Sequence, residues 1–299
     1  MSEALKLSER PERLILIGGG YVGMEMAQAF RRLGSGVVVL EAGPRLAARE
    51  DDDVGAAIGS LFDEQGIQVI TNARDLRVAG ASGKHVEVTI DGGQTVSGTH
   101  LLVATGRAPM TENIGLGIAG VELDGRGFIK VDETLLTSAA GIWALGEAAG
   151  TPMFTHASLD DFRVAKSRIS GGGRTTRGRL VLYCVFIEPE FARVGLGEKD
   201  AERLGIVYRL AKLPMDVVPR ARTMSARKGF MKCLISTETD DILGFSMLGE
   251  RAGEVMTILQ TAMLGRVPFT ILRDAILAHP TIAEGLNMLF DAVTPLATG

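Results

Sequence analysis

A glycine-rich turn near the start of the chain constrains the fold more than any other feature. The apolar run Leu14-Ile15-Leu16-Ile17 leads directly into Gly18-Gly19-Gly20-Tyr21-Val22-Gly23, and residues with helical periodicity follow. In this G-x-G-x-x-G pattern the glycines permit a tight turn, close approach of a pyrophosphate and close packing of helix on strand. The unpaired N–H groups at the start of such a helix attract phosphates. The sequence therefore predicts a dinucleotide site at this turn.

A second apolar run supplies an acid at the position that such a site needs. Val37-Val38-Val39-Leu40 ends at Glu41, about 20 residues after the glycines, where a carboxylate binds the hydroxyls of the adenosine ribose. Because this carboxylate repels a 2′-phosphate, NAD is favoured over NADP. Arg45, four residues further on, could soften that preference.

Composition narrows the classes of protein to consider. With 299 residues, 46% hydrophobic and 23% charged, the sequence is that of an ordinary globular protein with room for two or three compact units. A formal net charge of -4 gives no general attraction to nucleic acid or to an acidic membrane. Neither a signal peptide nor a membrane-spanning stretch is predicted. Cys184 and Cys233 lie far apart, which indicates a cytoplasmic, reducing location and no metal-ligand spacing.

Strand and helix patterns alternate over residues 10–107. Their order predicts an α/β unit of the Rossmann-like type, into which a β-ribbon with an Asp91-Gly92 turn is inserted. The predicted elements are helices from the glycine turn to Leu33 and from Asp51-Asp52-Asp53 to about Glu64, strands at 67–70 and 100–104, and ribbon strands at 85–90 and 94–97.

The pattern changes after a basic, glycine-rich stretch. Gly171-Gly172-Gly173-Arg174, with Arg177 and Arg179, is interpreted as a solvated connector, and anion binding by its arginines is the alternative. Strands followed by helices predict a separate α+β unit beyond it. The predicted elements are short strands at 127–131 and 142–145 and a helix at about 158–169 before the connector, then strands at 180–187, 207–212, 230–235 and 242–248 and helices at 251–264, 268–278 and 282–291.

Five motifs follow one another along nearly the whole chain. They are the segment from Pro11 through the glycine turn to Glu25, then Ala104-Thr105-Gly106-Arg107, Ile142-Trp143-Ala144-Leu145-Gly146-Glu147, Glu188-Pro189-Glu190-Phe191-Ala192-Arg193-Val194-Gly195, and His279-Pro280-Thr281 with Glu284. In this order they resemble the flavin-dependent pyridine nucleotide–disulfide oxidoreductases, which include dihydrolipoamide dehydrogenase, glutathione reductase and mercuric reductase. Residues 154–163 are most similar to the mercuric-reductase-like branch.

The resemblance implies a role for each nucleotide-binding motif. Gly18–Gly23 and Glu41 would bind NAD, and Gly106 would let the backbone approach its nicotinamide side. Tyr21 would gate the nicotinamide pocket, with simple packing at the helix entrance as the alternative. Glu25 would lie near the nicotinamide, with a solvated helix-face carboxylate as the alternative. Gly146 and Glu147 would contact the ribityl and phosphate portion of FAD.

The last motif carries the implied catalytic pair. In the family, the histidine that His279 matches reaches the flavin of the partner subunit and acts as general base for the thiols. Histidine suits this role because its ordinary pKa is about 6.5. Glu284 would orient and stabilise the imidazole. Thr281-Ile282-Ala283-Glu284 also fits a capping box, in which Glu284 bonds back to the backbone of Thr281, and both interpretations stay open.

The sequence also departs from the family pattern. Full members begin with an FAD-binding half that carries its own glycine motif and a redox-active C-x-x-x-x-C pair, and residues 1–13 hold neither. Position 147 is Glu where the family usually has Asp, and residues 296–299 lack the paired cysteines of mercuric reductases. The sequence is therefore interpreted as a truncated chain of this family.

These observations lead to one predicted organisation. An NAD(P)-binding Rossmann-like domain at 1–107 would precede the remaining part of an FAD-binding domain at 108–172 and an α+β dimerisation domain at 173–299. The chain would pass hydride from NADH through FAD to a disulfide or similar acceptor, as a homodimer formed by apolar helix faces such as Ile258, Leu259 and Met263. The alternative is a non-catalytic NAD-binding and dimerisation module.

Overall fold

The computed structural model describes residues 4–293. The chain divides into two compact units, one made of the residues up to Thr105 together with those from Leu182 onward, and the other of Gly106–Val181. The predicted domain limits at 107 and 172 lie near these divisions and remain predictions.

In the described residues the strands are β1 (Arg13–Ile17), β2 (Gly36–Leu40), β3 (Gln68–Ile70), β4 (Arg77–Ala81), β5 (His85–Ile90), β6 (Gln94–Gly98), β7 (His100–Val103), β8 (Leu182–Val185), β9 (Glu190–Gly195), β10 (Tyr208–Pro214), β11 (Phe230–Ser236) and β12 (Ile242–Gly249). The α-helices are α1 (Tyr21–Arg32), α2 (Asp52–Glu64), α3 (Thr155–Ile169), α4 (Glu198–Leu204), α5 (Pro219–Thr223), α6 (Ala252–Leu264), α7 (Phe269–Asp274) and α8 (Gly285–Asp291). None of these helices is both long and apolar enough to cross a lipid bilayer.

A four-stranded parallel sheet holds the first glycine turn, with strand order β3-β2-β1-β7. Parallel neighbours need crossover connections, and α1 and α2 supply those between β1, β2 and β3. Because β1 pairs with β2 on one side and β7 on the other, its carboxyl end lies between two strands. In open parallel sheets ligands bind at this end of the strands, so the topology places the glycine turn where a nucleotide is expected.

The inserted ribbon has three strands rather than the predicted two. The order is β4-β5-β6, with antiparallel pairing throughout. All residues of β4 are exposed, so no alternation of apolar and polar side chains marks it in the sequence. Val86, Val88 and Val96 of the ribbon are buried against Ile15 and Val38 of the parallel sheet.

The C-terminal part is a five-stranded antiparallel sheet, with order β10-β11-β12-β9-β8, and helices α6 to α8. Strand β9 and helices α4 and α5 were not predicted, and α7 and α8 are shorter than expected. Strands β11 and β12 are buried on both faces, which indicates that both sides of the central sheet are covered. Leu259 was expected on an uncovered helix face, but it is fully buried within this chain.

Charged side chains join the parallel sheet region to the C-terminal sheet inside the first compact unit. Lys232 of β11 is fully buried, and its Nζ lies 2.8 Å from Asp51, 2.7 Å from Asp53 and 2.7 Å from Glu198. Burial alone would raise the pKa of Asp51, but hydrogen bonds from Lys232 and from the backbone of Lys199 and Glu198 outweigh burial and lower it. The acidic run at the start of α2, predicted only as a helix start, therefore also binds the C-terminal sheet.

The second unit is small and rich in loops. Its core contains Val121, Ile129 and Ala144, and isolated β-bridges replace the predicted short strands. The arginines of the connector are ion-paired rather than freely solvated. They pair as Arg174 with Asp160, Arg177 with Glu133 at 2.8 Å, and Arg179 with Asp161 at 2.5 Å.

Candidate nucleotide-binding site

The first glycine turn is built from close backbone contacts. Gly18 has φ of +109° and donates its N–H to the carbonyl of Leu40 at 2.8 Å. A Cβ at Gly18 would lie 2.6 Å from the carbonyl oxygen of Ala104, and one at Gly23 would lie 1.9 Å from that of Gly18. Only glycine avoids these contacts, which is the reason for the spacing of the motif.

Gly20 presents the opposite situation, because a Cβ there would meet nothing within 4 Å. Gly20 is the N-cap of α1, and no side chain bonds to the first N–H groups of this helix. The first turn of α1 contains no acidic residue that would repel an anion. Open space, unpaired N–H donors and a helix of twelve residues suit a pyrophosphate.

The carboxylate of Glu41 is fixed beside this turn. Its Oε2 accepts the N–H of Gly19 at 2.6 Å, and its Oε1 accepts the N–H of Gly43 at 2.6 Å. Each carboxylate oxygen can accept a second hydrogen bond, so these contacts leave acceptor capacity for ribose hydroxyls. The residues present therefore suit the adenosine end of a dinucleotide.

Tyr21 is held by a polar cluster. Its hydroxyl donates to Glu50, and its ring stacks on Tyr183 with centroids 5.2 Å apart. The hydroxyl of Tyr183 donates to the same Glu50 oxygen at 2.7 Å, while Arg193 binds the other oxygen at 3.0 Å. Burial, then the negative charge of Glu50, raises the pKa of both tyrosines, so both remain protonated donors at neutral pH. The predicted gating role of Tyr21 stays a prediction.

Glu25 is half-buried, and its Oε1 accepts the backbone N–H of Phe186 at 2.8 Å. This contact ties the first helix to the segment after β8. Val22, three residues earlier on the same helix, is 43% exposed. The structure thus gives Glu25 a partner within the chain, and its predicted place near a nicotinamide remains untested.

The second glycine turn lies in the other compact unit, within the 3-10 helix Gly146–Ala149. The Gly146 N–H donates to Asp161 at 2.8 Å, and the Thr151 hydroxyl donates to the same oxygen at 2.7 Å. Asp161 is fully buried, and Arg179 balances its charge. This network fixes the backbone of Gly146 through hydrogen bonds to a buried carboxylate.

Two neighbouring positions in that unit, Glu147 and Gly106, offer a surface charge and open space respectively. Glu147 pairs with Arg107 at 3.0 Å on the surface. Gly106 has φ of +133°, and a Cβ there would meet nothing within 4 Å. The fixed conformation of the Gly146 turn suits the predicted contact with a flavin cofactor. The open space at Gly106 suits its predicted role, the close approach of the backbone to a nicotinamide, which remains a prediction.

His279 and Glu284 are in direct contact. Nδ1 of His279 lies 2.8 Å from Oε2 of Glu284, with the histidine 70% and the glutamate 12% exposed. The other carboxylate oxygen of Glu284 is buried and has no partner among the described residues. The Glu284 N–H donates to the hydroxyl of Thr281 at 3.2 Å, so one half of the capping box is present, while the carboxylate contacts the histidine instead.

Comparison with known proteins identifies the family. Residues 2–161 match the family model described as pyridine nucleotide-disulphide oxidoreductase, and residues 181–290 match the model of the dimerisation domain of that family. The chain belongs to this family. The predicted resemblance and the α/β fold with Rossmann-like and dimerisation parts are confirmed.

Curated relatives cover almost all of the chain. It is 36% identical over 297 residues to the probable pyridine nucleotide-disulfide oxidoreductase RclA of Escherichia coli, which covers 97% of the chain and 66% of the relative. A mercuric reductase of Streptomyces lividans is 36% identical (97% and 62%), and a dihydrolipoyl dehydrogenase of Thermus scotoductus is 33% identical (98% and 64%). The chain thus spans less than two thirds of the length of these relatives.

Solved protein structures are also similar to this chain. A Cu(II) complex of the HOCl-induced flavoprotein disulfide reductase RclA from Escherichia coli has a TM-score of 0.92 at 36% identity, covering 98% of this chain and 68% of that one. LpdA from Mycobacterium tuberculosis has a TM-score of 0.86 at 28% identity, covering 95% and 62%.

Sequence reasoning missed the residues that support the predicted sites. Glu50 and Tyr183 hold Tyr21, and Asp161 holds Gly146. The pair Asp160-Asp161 was noticed only as a mark of one family branch. Asp161 lies 15 positions after Gly146, and an acidic helix residue at such a distance from a glycine is too common a pattern to indicate its partner.

Proposed function

We propose that the chain binds NADH at the Gly18–Gly23 turn and serves as the nucleotide-binding and dimerisation part of a flavin-dependent NAD(P)H oxidoreductase. The observation that carries the proposal is the open N-cap at Gly20, with unpaired first-turn N–H groups beside a fixed Glu41 carboxylate. The backbone amides would bind the pyrophosphate, and Glu41 would accept hydrogen bonds from the ribose hydroxyls.

NAD is proposed over NADP because a 2′-phosphate would meet the charge of Glu41. A bound FAD would supply the redox chemistry, that is, hydride transfer from NADH and reduction of a disulfide or similar acceptor. In this chain, Gly146 and Glu147 would contribute to holding that flavin. The Asp161 network supports this, because it fixes the Gly146 backbone before any ligand binds.

A homodimer through the C-terminal domain is proposed from the match to the dimerisation model. His279 would act there as general base, with Glu284 keeping the imidazole oriented through the 2.8 Å contact. We also propose a cytoplasmic location without nucleic acid or membrane as a partner, since Cys184 and Cys233 are both unpaired.

Titration of the purified chain with NADH, followed by quenching of the single tryptophan or by NADH fluorescence, tests the nucleotide site. Saturable binding that Glu41→Ala weakens is expected. Absence of NADH binding to the wild-type chain would refute the proposal.

A non-catalytic NAD-binding and dimerisation module is the second candidate, and the cysteines favour it. Burial, then nearby Glu190, raises the pKa of Cys184 to about 12, and burial raises that of Cys233 as well, so neither thiol is activated. Purified protein that shows a flavin spectrum would support the oxidoreductase. Colourless protein that binds NADH and no added FAD would support the module.

A further inference from the structure

The loop after β2 packs directly on the first glycine turn. The Ala47 N–H donates to the carbonyl of Gly19 at 3.0 Å, and Cδ2 of Leu46 lies 2.6 Å from the place of a Cβ on Gly19. Arg45 therefore belongs to a segment that contacts the nucleotide turn. An arginine at this end of a dinucleotide site can bind the 2′-phosphate of NADP.

The side chain of Arg45 is instead engaged by the start of α2. It crosses the first turn of α2, where its Cδ lies 2.6 Å and its Nε 2.8 Å from the place of a Cβ on Gly55. Its Nη2 lies 2.5 Å from Oδ1 of Asp52 and 3.4 Å from the carbonyl of Glu50. The missing side chain at position 55 thus provides the space, and Asp52 provides the counter-charge.

This placement leaves the guanidinium incompletely bonded. The side chain is only 24% exposed, and its Nε is buried without an acceptor. A buried donor without an acceptor is unfavourable, so Arg45 keeps an unmet capacity for an anion. Asp52 is 77% exposed and shares its oxygen with Lys199, so its contact with Arg45 is a weak surface pair that a substitution can break.

We propose that Gly55 and Asp52 are specificity-determining residues, which withhold Arg45 from the nucleotide and so keep the site selective for NAD. This inference rests on the proposed nucleotide site at Gly18–Gly23. Glu41 acts by repelling a 2′-phosphate, whereas Gly55 and Asp52 act by removing the positive charge that would attract it.

Gly55→Ala tests the proposal, because the new methyl group would occupy the space of the Arg45 side chain. We expect the dissociation constant for NADPH to fall about tenfold, in line with one charge-assisted hydrogen bond, while that for NADH stays nearly constant. Gly59→Ala is the matched control, since it lies on the same helix and its Cβ would meet nothing within 4 Å.

Further variants separate release of Arg45 from a shift of the backbone, because the Cβ at position 55 would also lie 2.9 Å from the carbonyl of Leu46. Asp52→Asn should lower the ratio of the NADPH to the NADH dissociation constant as well, by a smaller factor. Arg45→Met in the Gly55→Ala background should abolish the gain, and Arg49→Gln, at an exposed arginine of the same loop, should keep it.

An unchanged ratio in both Gly55→Ala and Asp52→Asn, or a gain that survives Arg45→Met, would overturn the inference while leaving the NADH site intact. A wild-type chain that binds NADPH as tightly as NADH would also overturn it. Failure of the wild-type chain to bind either nucleotide would refute the proposed function itself.

Discussion

The turn at Gly18–Gly23 and the turn at Gly146–Ala149 both follow apolar segments, but different interactions hold them. The first turn is held by backbone packing, because carbonyl groups of Ala104 and Gly18 occupy the space that side chains would need. The second is held by the buried carboxylate of Asp161, which binds the Gly146 N–H and is balanced by Arg179. Backbone packing depends on shape, whereas the second arrangement depends on charge, so the two turns should fail under different substitutions.

Gly23→Ala should have the largest effect, because its methyl group would lie 1.9 Å from the carbonyl oxygen of Gly18. No side-chain rotation relieves a contact with the backbone, so we expect a loss of about 4 kcal/mol in the free energy of unfolding, with loss of NADH binding. Chemical denaturation followed by circular dichroism measures the first, and NADH titration the second. Wild-type stability in this variant would contradict shape control of the first turn.

Asp161→Asn should destabilise the second turn through charge. The variant leaves Arg179 without its main counter-charge. It also replaces the carboxylate that accepts the Gly146 N–H and the Thr151 hydroxyl with a neutral amide. We therefore expect a loss of about 3 kcal/mol in the free energy of unfolding. Trp143 is the single tryptophan and lies in this compact unit, so its fluorescence reports unfolding there.

Glu133→Gln is the control for this charge effect. It breaks the pair with Arg177, whose side chains are 42% and 79% exposed, and should change stability by less than about 0.5 kcal/mol. Equal effects of Asp161→Asn and Glu133→Gln would remove the contrast between a buried and a surface pair.

Gly20→Ala sharpens the comparison within the first turn. Because no atom lies within 4 Å of the new methyl group, the free energy of unfolding should change by less than about 1 kcal/mol. The methyl group would nevertheless stand where a pyrophosphate approaches, so NADH binding should weaken about tenfold. Unchanged NADH affinity would show that the phosphates do not approach Gly20.

Acid should weaken the contact between Lys232 and the carboxylates at the start of α2. Burial alone would raise the pKa of Asp53, but hydrogen bonds from Lys212 and Lys232 lower it overall. A hydrogen bond from Lys232 likewise helps to lower the pKa of Asp51. The stabilisation is present above the unfolded pKa of about 4 and disappears as the pH falls through the lower folded-state pKa. The Tm measured by circular dichroism should therefore begin to fall below about pH 4.

Local patterns predicted much of the fold and part of the site. Strands β1 and β2, helix α1 and the turn between them were predicted because each depends on residues adjacent in the chain. Strand β4 was missed, since all its side chains are exposed and only pairing with β5 makes it a strand. The end of α7 at Asp274 was also missed, because no Gly or Pro marks it.

The supporting charges could not be predicted at all. Glu50 and Arg193 are 143 positions apart, and nothing near either residue indicates the other. Asp161 and Arg179 are closer, but a helix residue and a connector arginine are ordinarily both solvated. In each case burial gives the pair its importance, and burial is a property of the folded chain.

The sequence by itself determined the strand–turn–helix of the candidate nucleotide site and the family, because steric limits on glycine and the periodicity of apolar residues act over a few neighbouring positions. The tertiary structure alone decided that Glu41 is fixed by the Gly19 and Gly43 amides, that Arg45 lies against Gly55, and that Asp161 holds the second turn. Those contacts depend on which surfaces meet and exclude water, and the strength of a charge interaction changes with that environment.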